Sequence, residues 1–213
     1  MVVPCPLIEV SDPSHERGRD YGRKAKSRIA KGISHYSSQL TALSVTPADI
    51  RGLVADYLPV IEQFEPSYVV EMCGIAEGAE VPFEDIVLLN ARTEILKLTQ
   101  RPDLRAKFNE ALDHDGPDGC TTVVALPRAT RHGNLIHAHN WDWKAECAET
   151  AIVLHVRRND GPDFLSFTEA GGLARGLSPL ARGNLSYGGG AAWVGPIPAR
   201  AGQPCRSFCS PGR

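Results

Sequence analysis

Apolar positions in the first half of the chain recur every three to four residues. Tyr21, Ala25, Ile29, Ile33, Tyr36 and Leu40 form one such stripe, which predicts a helix running to about Leu43. Asp12-Pro13 marks its start, with Asp as the cap and Pro at the first helical position. Thr46-Pro47 opens a second helix, with Ile50, Val54, Tyr57, Leu58 and Ile61 inward and a kink expected at Pro59. Glu65-Pro66 opens a third, burying Tyr68, Val69, Met72, Ile75 and Ala76, and Pro82 a fourth, with Ile86, Leu89, Ile95 and Leu98 on its buried side. A short helix is expected near Leu104 to Leu112.

Two stretches break this pattern. Leu7 to Val10, "LIEV", reads as a strand ahead of the helices. From Cys120 the period falls from 3.6 to 2. Thr121 to Leu126 is rich in β-branched residues, "HGN" (His132 to Asn134) is a turn, and Leu135 to Asp142 is a second strand. Ala151 to Val156 and Phe164 to Thr168 follow, joined by the hairpin signal "NDG" from Asn159. Helices followed by an antiparallel meander predict an α+β fold.

The net charge of −2 conceals a break in composition. All 25 acidic residues lie at or before Glu169, where the balance is 18 basic against 25 acidic, a net −7. Such a body lacks the clustered Lys and Arg that phosphate contacts need, so no nucleic-acid partner is expected. No apolar run reaches the length of a membrane span, and "MVVPCPLIEVSD" has no secretion-signal pattern. A cytoplasmic protein with six reduced cysteines is the expectation. From Ala170 to Arg213 there is no Asp, Glu or Lys, but five Arg, ten Gly and five Pro. This tail has neither periodicity. Its composition admits an unfolded extension, or a coding sequence lost through a frameshift, a retained intron or an early stop; Arg without Lys favours the second. The expected division is therefore a domain at 1–169 and an atypical tail at 170–213.

The chemistry concentrates around "DGCTTVV" and "HAHNWDW". Cys120 follows Gly119 and stands just before a strand. Its thiol can attack the Gly119 carbonyl, giving a thioester that water cuts to leave a chain beginning at Cys120. The freed α-amine, with a reference pKa of about 8, then serves as base for its own thiol. Gly119 tolerates the strained geometry this needs. A plain core cysteine entering a sheet is the competing reading. On the second strand Asn140 and Asp142 share one face, suited to positioning an amine and meeting an oxyanion. A hairpin between the two strands would return Asp142 toward Cys120. His137 and His139 share the other face and could hold a metal, with His132 or His155 recruited as a third ligand. "RGRDYG", "CGIAEGA" and "LLNARTEI" are odd for plain helices. Gly18, Gly22, Gly74 and Gly78 each cost about 1 kcal/mol against Ala, which close helix approach would justify. Arg92 and Glu94 can pair internally or face a pocket, with a packing role the expectation.

Taken together, "ERGRDYG" at Glu16, "MCGIAEGAEVPFEDIVLLNARTE" from Met72, "DGCTTVV" at Asp118, "HNWDW" at His139 and "FTEAG" at Phe167 resemble the isopenicillin N acyltransferase family in content and order. The resemblance covers about Leu7 to Gly171. It implies an N-terminal-nucleophile hydrolase fold with four αββα layers. It also implies self-cleavage at Gly119–Cys120 into a helical pro-region, 1–119, and a β subunit beginning at 120 that stay associated. Cys120 would be the nucleophile and Asp142 the active-site aspartate, with Asn140 beside it. Acyl transfer or hydrolysis at amides and thioesters would follow, with a small-molecule acyl donor and an amine or water as acceptor. No cofactor and no membrane are implied; acyl-coenzyme A enters only as a substrate. A peroxisomal parent is compatible with the family's fungal members. The family continues past "FTEAG" with further strands and a second oxyanion asparagine, which Asn184 does not match in context. A truncated, inactive form is therefore expected. The rival classes are a non-catalytic remnant and a metal hydrolase using His137 and His139.

Overall fold

The computed structural model describes residues 5–42, 45–96, 121–133, 136–140, 145–159, 163–173 and 177–179. The elements run β1 (Leu7–Ser11), α1 (Ser14–Ala42), α2 (Pro47–Phe64), α3 (Pro66–Ala79), α4 (Phe83–Leu96), β2 (Thr121–Ala125), β3 (Ile136–Asn140), β4 (Ala151–Arg157), β5 (Phe164–Glu169) and β6 (Leu177–Pro179). Single 3₁₀ turns lie at Pro127–Ala129 and Ala145–Glu149. The fold is mixed α+β. The expected helix at Leu104–Leu112 and the tail beyond Pro179 lie outside the described residues.

Most helix starts follow local chemistry. Thr46 and Asp49 form a reciprocal capping box on α2: Asp49 N donates to Thr46 Oγ1 at 3.2 Å, and Thr46 N to Asp49 Oδ2 at 2.9 Å. The Glu65 carboxylate accepts from Ser67 N at the start of α3. The start of α1 differs from expectation. Its first helical bond runs from Arg17 N to the Pro13 carbonyl, so Asp12 is no cap. The Asp12 carboxylate instead takes the Arg17 guanidinium and the backbone N–H of Asn159. Arg17 also donates from Nε to Glu71 of α3 at 3.0 Å. A charge–charge and turn-closing role outcompetes the cap.

The α1 stripe is buried as its spacing predicts, with Tyr21, Ala25, Ile29, Tyr36 and Leu40 all in the core. The odd glycines of α1 and α3 form a seam between the two helices. A Cβ on Gly18 or Gly22 would lie 2.1 and 2.2 Å from the carbonyl oxygens of Glu71 and Ile75. A Cβ on Gly74 or Gly78 would lie 2.1 and 2.0 Å from those of His15 and Arg19. Backbone meets backbone from both sides, which no other residue allows. On α4, Val87, Leu88 and Ala91 are buried along with the expected Ile86, Leu89 and Ile95, because α1, α2 and α3 all pack on it. Tyr68, expected inward, is instead exposed beside Phe64 at the corner between α2 and α3.

The strands do not form one meander. β1 pairs in parallel with β4, from Leu7 opposite Val153 to Ser11 opposite Arg157. β4, β5 and β6 continue antiparallel, giving the order β1-β4-β5-β6. β2 and β3 form a separate two-stranded sheet. One face of the larger sheet carries Ile8, Val10, Ile152, Leu154 and Val156 into the same core as α1 and α4. The compositional break at Glu169 is not the edge of the packed body: Ala170, Gly171 and Gly172 are buried, and β6 adds to the sheet. No described helix is long and apolar enough to cross a membrane.

Candidate active site

Of the residues singled out for chemistry, Gly119, Cys120, Asp142 and Glu94's side chain lie outside the described part of the molecule. Asn140 is exposed at the last position of β3, directly opposite Thr121 at the first position of β2. The register continues through Thr122 opposite His139, Val123 opposite Ala138, Val124 opposite His137 and Ala125 opposite Ile136. The hairpin expected between these strands therefore exists. It sets Asn140 beside the residue that follows Cys120, and Asp142 stands two positions further along the chain. The observed strands are shorter than expected, and the turn is reached through a 3₁₀ turn at Pro127–Ala129. Gly133 there takes a positive φ of 67°, which is why "HGN" needs a glycine.

His137 and His139 occupy the register positions of one hairpin face. His155, considered as a third ligand, belongs to β4 in the other sheet. Its Nδ1 lies 2.9 Å from Glu9 Oε1. The His155 and Arg157 hydrogen bonds hold the Glu9 carboxyl below the usual carboxylate range. Among the described residues no group of three or more His, Cys, Asp or Glu is placed to hold a metal ion.

Arg92 has an internal partner that its sequence context did not name. It is 5% exposed, its Nη1 donates to the Leu89 carbonyl, and its Nη2 lies 3.0 Å from Glu169 Oε2. That contact is an ion pair and not a well-directed hydrogen bond; Arg92 Nε has no partner among the described residues. The Tyr36 hydroxyl donates to both Glu169 oxygens, at 2.7 and 3.0 Å, and the Arg92 guanidinium lies 5.1 Å from the centre of the Tyr36 ring. Cys147 Sγ is 3.8 Å from the same hydroxyl. Burial, with the Glu169 charge adding to it, pushes the Cys147 thiol up to about 11. Burial likewise raises the Tyr36 and Tyr21 hydroxyls. The raised thiol disfavours the thiolate, the form that acts as a nucleophile. Cys5 and Cys73 are likewise outside any disulfide, Cys73 buried. Glu169 and Glu71 were the residues missed. Their signal was a charge inside an otherwise apolar motif, "FTEAG" and "VVEMCG", which burial makes expensive without a partner.

These features, a helix seam, a buried ion pair and a hairpin that begins after Cys120, belong to a chain whose likeness supports the acyltransferase family. It is 34% identical over 157 residues to the acyl-coenzyme A:6-aminopenicillanic-acid-acyltransferase 40 kDa form of Emericella nidulans. The match covers 73% of this chain and 39% of that relative, so the chain spans about two fifths of the relative's length. No protein-family model matches the chain.

Proposed function

We propose that this chain belongs to a self-cleaving cysteine acyltransferase or amidohydrolase of the N-terminal-nucleophile type, with four αββα layers. The observation that carries the reading is the likeness to an acyltransferase across most of the chain. The register of β2 against β3 supports it, because Thr121 and Asn140 are opposite one another. In the proposed reaction Cys120 Sγ attacks the Gly119 carbonyl carbon and the peptide nitrogen takes the proton. Water then splits the thioester, releasing the Gly119 carboxylate and restoring the thiol. The new α-amine accepts the thiol proton as the thiol attacks an acyl donor, an amide or a thioester such as acyl-coenzyme A. It returns the proton to the leaving group. Asp142 positions the amine and Asn140 meets the oxyanion. An amine or water then takes the acyl group.

The test is the intact mass of the purified protein. A fragment beginning at Cys120, absent in Cys120→Ala, is the expected result. An active enzyme that remains one uncut chain overturns the self-cleavage reading. A second reading, a non-catalytic remnant, is favoured by the absence of Asp, Glu and Lys after Glu169. It predicts that the parent protein is uncut and inactive, and that Cys120→Ala shifts its mass only by the substituted side chain.

A further inference from the structure

β1 ends the order β1-β4-β5-β6, so one edge of the larger sheet is β1 itself. Val153 N donates to the Pro6 carbonyl at 2.9 Å and Asp12 N to the Arg157 carbonyl at 3.3 Å. With Leu7 opposite Val153, residues 6, 8, 10 and 12 turn their backbone groups toward β4. Leu7, Glu9 and Ser11 turn theirs the other way. Among the described residues no strand lies on that side. α1 runs along it instead, and a cleft of about 380 Å³ lies between strand and helix. Pro6 to Glu9 line one wall, and Lys24, Ser27 and Arg28 the other. Lys24 Nζ donates to the outward Glu9 carbonyl at 2.7 Å, doing for that group what a neighbouring strand would do. It also bonds Asp20 at 2.6 Å. Arg28 Nη1 donates to the Glu149 and Ala151 carbonyls, at 2.7 and 3.1 Å. Ala151 precedes Val153 on β4, so Arg28 stands nearer the start of β1 and Lys24 nearer its end. The Glu9 carboxylate is drawn to His155 and Arg157, at 2.9 and 3.0 Å, and so does not neutralise the helix wall. The body to Glu169 has 18 basic against 25 acidic residues, yet this wall is positive.

We propose that the β1–α1 cleft binds an extended segment of another protein, laid beside β1 as a further strand, with acidic side chains at alternate positions. Outward backbone groups along a sheet edge are a template for such a strand. One turn of α1 separates Lys24 from Arg28, about 6 Å along the axis. Alternate side chains of a strand share a face about 6.8 Å apart, so two carboxylates at that spacing match the two cations. The incoming strand displaces Lys24 from the Glu9 carbonyl and offers it a carboxylate instead. Leu7, 59% exposed on the face away from the core, supplies an apolar contact to the residue laid beside it. The site is independent of the reaction proposed at Cys120.

The test follows the fluorescence anisotropy of a labelled peptide alternating valine and glutamate as the full chain is titrated in. Saturable binding that weakens as salt rises is expected, and a peptide with lysine in place of glutamate should not bind. Leu7→Pro removes an N–H that β4 does not use, so the fold should persist while affinity falls roughly 10-fold or more. Leu7→Ala keeps that N–H and should lower affinity less than about 3-fold. Lys24→Glu should lower it roughly 10-fold. Lys26→Glu makes the same charge change on α1 outside the cleft, where Lys26 pairs with Glu80, and should change it less than about 2-fold. If Leu7→Pro does not fold, the two lysine variants carry the test. Absence of binding at millimolar peptide overturns the proposal, as do equal binding of the lysine peptide and equal effects of Lys24→Glu and Lys26→Glu. A dimer in sedimentation that Leu7→Pro abolishes also overturns it, and assigns the edge to a second copy of the chain.

Discussion

The α1–α3 seam and the β2–β3 hairpin are the two regions with the most unusual sequences, and they differ in every physical respect. In the seam, four glycines bring two helix backbones into direct contact, and the surrounding Tyr21, Met72 and Ile75 are fully buried. In the hairpin, Val123 is 61% exposed and Ile136 55% exposed, and Val124 and Leu126 are exposed too. The seam is built by exclusion: any added atom collides. The hairpin is built by backbone pairing, with little side-chain burial among the described residues. Among the described residues, close packing is therefore concentrated away from the β2–β3 hairpin.

That contrast can be broken by substitution. Gly78→Ala puts a methyl group 2.0 Å from the Arg19 carbonyl oxygen. The helices must separate, which outweighs Ala's helix preference. A loss of about 3 kcal/mol is expected in urea unfolding, the upper end of what overpacking costs. A neutral Gly78→Ala would mean the seam is loose. The alkaline limit probes the same body. Burial raises the Cys147 thiol from 9.0 to about 11, and the Tyr21 and Tyr36 hydroxyls move in the same direction. A raised folded-state pKa gives a contribution that is complete below about pH 9 and is lost as pH rises toward 11 and beyond. Stability should fall across that window, and Cys147→Ala should flatten the fall. A flat profile in the parent protein would show these groups reaching water.

The smallest effects are expected outside the seam. Gly52 of α2 has no atom within 4 Å of an added Cβ. Gly52→Ala should therefore stabilise by about 0.4–1 kcal/mol, the sign opposite to that at Gly78. Val123→Thr in the hairpin should stay within about 0.5 kcal/mol of the parent. If Val123→Thr costs more than Gly78→Ala, the contrast between the two regions is wrong.

Helices were legible because their signals are local. Thr46-Pro47 and Glu65-Pro66 carry their own hydrogen-bond partners within three residues. The stripe from Tyr21 to Leu40 needs only the period of a helix to be seen. The hairpin was legible for the same reason, since "HGN" lies between two runs of period 2. Asp12 misled because a charge can cap a helix or bind an arginine, and the choice depends on Arg17, Glu71 and Asn159 meeting there. Tyr68 misled because helical spacing gives a face but not what covers its end.

Alone, then, the order of residues determined the four long helices and β1 to β5, where Cys120 stands relative to a strand, and that four helical glycines need a reason, but not β6. Each follows from interactions spanning a few residues. Only the folded chain decided that β1 pairs with β4 across some 140 positions, that the glycines face each other, and that Glu169 answers Arg92. Those choices depend on which surfaces meet, and in a linear chain nothing marks a carboxylate as the partner of one distant guanidinium until burial removes the water that would otherwise satisfy both.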